Sequence, residues 1–193
     1  SRAMLTLRPR DVSVVALEDA RWLDDHSEWE GVPVTVCKVV GPRTAGYSPH
    51  YLDAIRGARP DVVHVHGLWT YKSVAAYRWK RRNRGAYVVS PHGMLGAWPL
   101  QNSQLRKRVA LSTYEGMHLR NARAIHALTA AEAADCRSLA LKTPIAVIPN
   151  GVDLPALQPM DAPEWAAATE RGRFTLLYLS RLHPGKGLPE LID

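Results

Sequence analysis

Short apolar runs alternate with amphipathic or polar stretches along the chain, and glycine and proline mark most of the boundaries. Residues 12–17 read as the first strand, preceded at 3–7 by what resembles a helix end. Residues 32–40 alternate well enough for a second strand, at a sheet edge because Pro33 cannot donate to a ladder. Ser48 and Pro49 offer an N-cap and a first-turn proline to a helix through Tyr51, Leu52 and Ile55 that closes near Gly57. Residues 61–66 form a short strand with a polar carboxyl end. Residues 73–84 form a helix with Val74, Ala75, Tyr77 and Trp79 inward and most of its Arg and Lys outward.

The pattern then repeats. Tyr87, Val88 and Val89 make a buried strand ended by Pro91, and apolar spacing predicts one long helix over 103–120. A strand over 123–128 follows, then Thr129 and Glu132 as a capping box, for which a plain cap is a sufficient reading. The helix they open runs to about Leu141, and a strand over 143–148 leads into a sharp turn at 149–153. Residues 154–172, with Pro155, Pro159 and Pro163, read as a connection containing a short helix around 164–169, after which 173–179 start a new strand. Strand and helix in alternation predict an α/β fold with a mostly parallel sheet.

In such sheets ligands collect at the carboxyl ends of the strands. Two His-Gly pairs sit there, His66-Gly67 and His92-Gly93. His64 and His66 share a face at period two, which makes a metal pair conceivable, but no third ligand has suitable spacing. Near the end of the chain an apolar run breaks into a loop holding Arg181, Gly185, Lys186 and Gly187 before a further apolar stretch at Leu188. Backbone N–H groups and fixed positive charge there suit a phosphate, although neither the dinucleotide fingerprint nor the P-loop spacing is present. Taken alone, the same loop also reads as a solvated turn.

Composition narrows the field only partly. The 193 residues are 46% hydrophobic, enough for a full domain core, and 25 Lys and Arg against 18 Asp and Glu give a net charge of +7. That balance favours anionic partners. Cys37 and Cys136 lie far apart, so neither a disulfide framework nor a zinc motif is indicated, and a cytoplasmic setting fits. No apolar run reaches the roughly 18 residues of a membrane span. The basic clusters at 78–84 and 106–108 read first as solvated helix faces, and otherwise as contacts to an anionic membrane. Nucleic acid is disfavoured because no stacking aromatic pattern or binding motif accompanies them.

Four motifs in order, Val63-His-Val-His-Gly-Leu-Trp69, Ser90-Pro-His-Gly-Met94, Val147-Ile-Pro-Asn-Gly-Val-Asp153 and Leu179-Ser-Arg-Leu-His-Pro-Gly-Lys-Gly187, closely resemble glycosyltransferase family 4, of the GT-B fold. The resemblance is weakest before Pro60. It implies retaining transfer of a sugar from a nucleoside diphosphate donor to a saccharide or lipid-linked acceptor, without a metal or other cofactor. It places residues 1–149 as an acceptor-side Rossmann-like domain, 150–172 as the interdomain connection and 173–193 as the opening strand and loop of the donor-binding domain. By the same resemblance Arg181 and Lys186 bind the donor diphosphate, His92 lies near the transferred sugar, and His66, Gly67 and Gly93 face the acceptor. Asn150, Gly151 and Asp153 fall in the hinge.

The family's Gly-rich loop after its first strand and its later paired-Glu donor motif have no counterpart here, so the resemblance implies an inactive or nearly inactive fragment truncated at both ends. Its complete form would act in polysaccharide or glycoconjugate synthesis, in the cytoplasm or at the inner face of the membrane. The alternative is a non-catalytic binding module for anionic lipid or polysaccharide.

Overall fold

The computed structural model describes residues 12–19, 29, 31–101, 104–151, 176–180, 182 and 188–192. The chain divides into two units, Ser1–Asn150 and Gly151–Asp193. In the first, β1 (Val14–Leu17) and β2 (Val34–Cys37) form a parallel pair. Strands β3 (Val62–His66), β4 (Ala86–Ser90), β5 (Ala124–Ala127) and β6 (Ile145–Val147) form a four-stranded parallel sheet in sequence order. The crossovers carry α1 (Tyr51–Gly57), α2 (Tyr71–Asn83), α3 (Ala97–Gln101), α4 (Gln104–Ser112), α5 (Tyr114–Asn121) and α6 (Ala130–Ser138). In the second unit the described residues include one short helix, α7 (Leu188–Ile192). The described part of the strand expected over 173–179 joins no ladder, and Leu176, Leu177 and Leu179 are exposed.

One face of the four-stranded sheet is the core. Val65, Tyr87, Val89 and Ile125 are buried there against Leu95, Leu119 and Cys136. A second cluster joins Tyr51, Leu52 and Ile55 of α1 to Ala75 and Trp79 of α2, with Val15, Leu17 and Val63 packed against it. Parallel strands are ordinarily covered on both faces. Here β3 alternates instead, with Val62, His64 and His66 exposed and Val65 buried.

Three local expectations are corrected. Ser48 does not cap α1: the helix begins at Tyr51, His50 occupies the cap position without a side-chain bond, and Ser48 contributes its carbonyl to a turn with the Tyr51 amide. The capping box is half formed, since Thr129 accepts from the Glu132 amide while the Glu132 carboxylate reaches other groups. The single helix over 103–120 is two.

The break at Thr113 has a local cause. The Ser112 hydroxyl donates to the Val109 carbonyl at 2.9 Å, and the Thr113 hydroxyl donates to the same carbonyl at 2.6 Å, back-bonding that bends helices. Thr113 leaves helical geometry at φ −111°, ψ −110°. The bend brings the Leu111 carbonyl to 2.0 Å from where a Cβ on Gly116 would stand, so position 116 admits no side chain. Gly116→Ala is expected to cost about 1–3 kcal/mol, as overpacking does. Met117→Ala, at the exposed neighbouring position, leaves the urea midpoint nearly unchanged; equal shifts for the two would rule out the close approach.

Candidate active site

The carboxyl ends of β3, β4 and β5 are brought level by register. His66 pairs with Ser90, and the step from Val88–Ala124 and Val89–Ile125 sets Ser90 beside His126. A one-residue slip would turn these side chains into the core. On the face opposite the core, the His64 Nε2 lies 2.7 Å from the Ser90 hydroxyl, which lies 2.9 Å from the His126 Nδ1. The His126 Nε2 reaches the Ile148 carbonyl at 2.8 Å.

A carbonyl only accepts, so a neutral His126 carries its proton on Nε2. Its Nδ1 then accepts from Ser90, and Ser90 accepts from the Nε2–H of His64. One chain of donors runs across three strands and fixes the tautomers of two histidines. The ring of His64 lies 4.3 Å from that of His66, whose Nδ1 meets the His92 Nε2 at 2.9 Å. Loss of solvent around the ring, then the neighbouring imidazoles and Lys72, hold His66 well below its ordinary pKa. His64 is lowered too, first by burial and then by the His126 and His92 imidazoles. At neutral pH these two rings offer hydrogen bonds rather than charge.

Both His-Gly turns are conformationally costly. Gly67 has φ +78° with Met94 Cε 3.3 Å from an added Cβ, and Gly93 has φ +74°. The non-glycine residues Trp69 (φ 70°) and His92 (φ 53°) also adopt the left-handed region. Such geometry costs on the order of 1–3 kcal/mol per residue and persists only where the surroundings enforce it. Two buried carboxylates supply that enforcement. Glu115 of α5 accepts the Trp69 amide at 2.8 Å. Glu132 of α6 accepts the Gly93 amide on one oxygen and the Leu128 amide on the other, each at 2.7 Å. Lys72 completes the first turn by donating to the His66 carbonyl at 2.9 Å.

Burial raises the Glu115 pKa to about 7, against the opposing pull of the Trp69 amide, the nearby Ser73 hydroxyl and Lys72. Its Oε1 is buried without a hydrogen-bond partner, as are both ring nitrogens of His118 on the same helix. His118 is stacked on Tyr87 and kept neutral by burial.

The structure thus places His66, Gly67, His92 and Gly93 together at adjacent strand ends. Asn150 and Gly151 are exposed on either side of the boundary between the two units. Asp153, Arg181 and Lys186 lie outside the described residues. Among the described residues no three His, Cys, Asp or Glu side chains are placed to share a metal ion. Sequence reasoning passed over Ser90, His126 and Lys72, and it gave Glu132 only a capping role. The period-two match of His64 with His66 was the one available signal for the network.

A parallel sheet with crossover helices, its polar side chains gathered at the strands' carboxyl ends, defines a Rossmann-like α/β domain of the kind found in the N-terminal half of GT-B enzymes. Residues 3–151 match the family described as glycosyl transferase 4-like domain. The chain belongs to this family of glycosyltransferases. Comparison with curated proteins gives no match.

Two outcomes check the carboxylates. Glu132→Ala is expected to lower stability by about 1–3 kcal/mol and to expose the Gly93 amide to rapid hydrogen exchange; unchanged protection at Gly93 would show that the bond does not hold the turn. Glu115 has a folded pKa above its unfolded value, so between about pH 4.5 and 7 the unfolded chain binds fewer protons and stability falls as pH rises. The drop is on the order of 3 kcal/mol, and Glu115→Gln removes it. Parallel pH–stability curves for the two proteins would contradict the assignment.

Proposed function

We propose that the chain forms the acceptor-side domain of a retaining glycosyltransferase that moves a sugar from a nucleoside diphosphate donor to a saccharide or lipid-linked acceptor, in polysaccharide or glycoconjugate synthesis. The observation that carries the reading is the His66–His92 pair, held by strained turns at the carboxyl ends of adjacent parallel strands in a domain of this family. His92 stands near the transferred sugar. His66, Gly67 and Gly93 line the acceptor side, where uncharged imidazoles suit hydroxyl groups as donors and acceptors. Arg181 and Lys186 bind the diphosphate, and charge-assisted hydrogen bonds to it stabilise the negative charge that develops as it leaves. Residues 150–153 serve as the hinge between this domain and the donor-binding one.

The test is release of nucleoside diphosphate from a panel of sugar nucleotides by the full-length protein, with product anomeric configuration read by NMR. His92→Ala is expected to lower kcat/KM by about 100-fold or more, within the range for loss of a proton-transferring or charge-stabilising group. No diphosphate release with any donor would overturn the enzymatic reading, and an inverted product would overturn the retaining one.

A further inference from the structure

We propose that Lys72 is a specificity-determining residue, which selects an acceptor bearing an anionic group, a carboxylate or a phosphate, beside the hydroxyl groups that His66 and His92 receive. Lys72 stands in the first turn of α2, where the aligned peptide dipoles disfavour a cation, and no acidic residue shares that turn. Its side chain is half-buried, which strips a charged group of part of its hydration. The ammonium donates to the His66 carbonyl at 2.9 Å and comes within 3.9 Å of the point where a Cβ on Gly67 would stand. It therefore lies beside the first His-Gly turn. Holding a carbonyl takes one of its three N–H groups and no charge. A neutral donor would serve that purpose, so a cation placed against both burial and the helix dipole calls for a further role.

The protein's own carboxylates do not supply the counter-charge. Among the described residues no carboxylate oxygen lies within 4.0 Å of the Lys72 ammonium. Glu115 is close enough to favour the charged ammonium, yet its own pKa of about 7 leaves it only about half ionised at neutral pH. Its Oε2 is already taken by the Trp69 amide. Glu132 accepts the Gly93 and Leu128 amides. Residues 62–114, which carry both His-Gly turns, contain no Asp or Glu, and His64 and His66 are uncharged at neutral pH. Neutral rings that pair with hydroxyl groups thus stand next to an uncompensated cation. The complement of that arrangement is a sugar carrying a negative group, whose oxygens would take the remaining N–H groups of Lys72 as charge-assisted hydrogen bonds.

The choice of acceptor rests on the transferase reading, whereas anion binding at Lys72 does not. The experiment is an NMR titration of the full 15N-labelled chain, read at the Gly67 and Gly93 amides, with methyl glucuronide, with glucose 1-phosphate and with the neutral methyl glucoside. Both anionic sugars are expected to bind about tenfold or more tighter than the glucoside, within the range for a hydrogen bond to a charged group. The tighter of the two names the group. Lys72→Arg keeps the preference, and Lys72→Met abolishes it while the glucoside binds as before. Unchanged hydrogen exchange at Gly67 shows that the turn survives in Lys72→Met; should it not survive, the Lys72 Nζ resonance of the unmodified chain decides, shifting with the anionic sugars and not with the glucoside.

Equal affinity for charged and neutral sugars, a preference that survives Lys72→Met, or binding of none of the three at high millimolar concentration would each overturn the proposal. Inorganic pyrophosphate probes the other source of an anion. If its binding depends on Lys72 and that of the anionic sugars does not, the cation belongs to the donor diphosphate and the proposal falls. None of these titrations needs turnover, so anionic sugars bound through Lys72 by a full-length protein that releases no nucleoside diphosphate would refute the transferase reading alone.

Discussion

The carboxylate of Glu132, shared between two backbone amides, is the contact on which the candidate site most depends. A turn with His92 and Gly93 both in the left-handed region does not hold itself, because its own backbone favours other conformations. The bond to the Gly93 amide fixes it to α6, and the bond to the Leu128 amide fixes the same side chain to the end of β5. Strand end, helix start and turn are thus tied to one side chain. Glu115 does the same one strand earlier through Trp69. Each carboxylate is carried by a crossover helix and accepts a loop amide, while the His66 and His92 imidazoles meet each other.

That division separates negative charge from recognition. The acidic groups are buried as structural acceptors, whereas His64 and His66 at the end of β3 are held below the ordinary imidazole pKa by partial loss of solvent and by neighbouring imidazoles. The Ser90–His126–Ile148 chain gives His64 a defined proton position, and His64 packs against His66. Ordered neutral donors and acceptors suit a polyhydroxyl ligand, since they pair with hydroxyl groups without demanding a counter-ion. The Arg side chains of α2 and α4 are exposed, whereas Lys72 stands at the site and donates to the His66 carbonyl.

The same economy of small contacts shapes the helices. Ser112 and Thr113 take helix carbonyls with their hydroxyls, the helix bends, and Gly116 accepts the close approach that results. The bend matters for the site because Glu115 lies directly after it, at the point where α5 begins to run beneath the turn that carries Trp69.

The alternation of strands and helices, the parallel α/β class and the two His-Gly turns were legible in the residues, because β-branched runs, helical periodicity and glycine after a strand act over a few neighbouring positions. The motif succession likewise pointed to the family to which the chain belongs. Tertiary structure decided what each polar side chain does. Glu132 reads locally as half of a capping box, yet its partner Gly93 is 39 residues away, and Glu115 finds Trp69 at a separation of 46. Ser90 joins His64 and His126 across 26 and 36 residues only because three strands share one register. Local sequence specifies which backbone conformations are cheap. Which amide a buried carboxylate meets depends on packing across the sheet, and no short-range pattern encodes it.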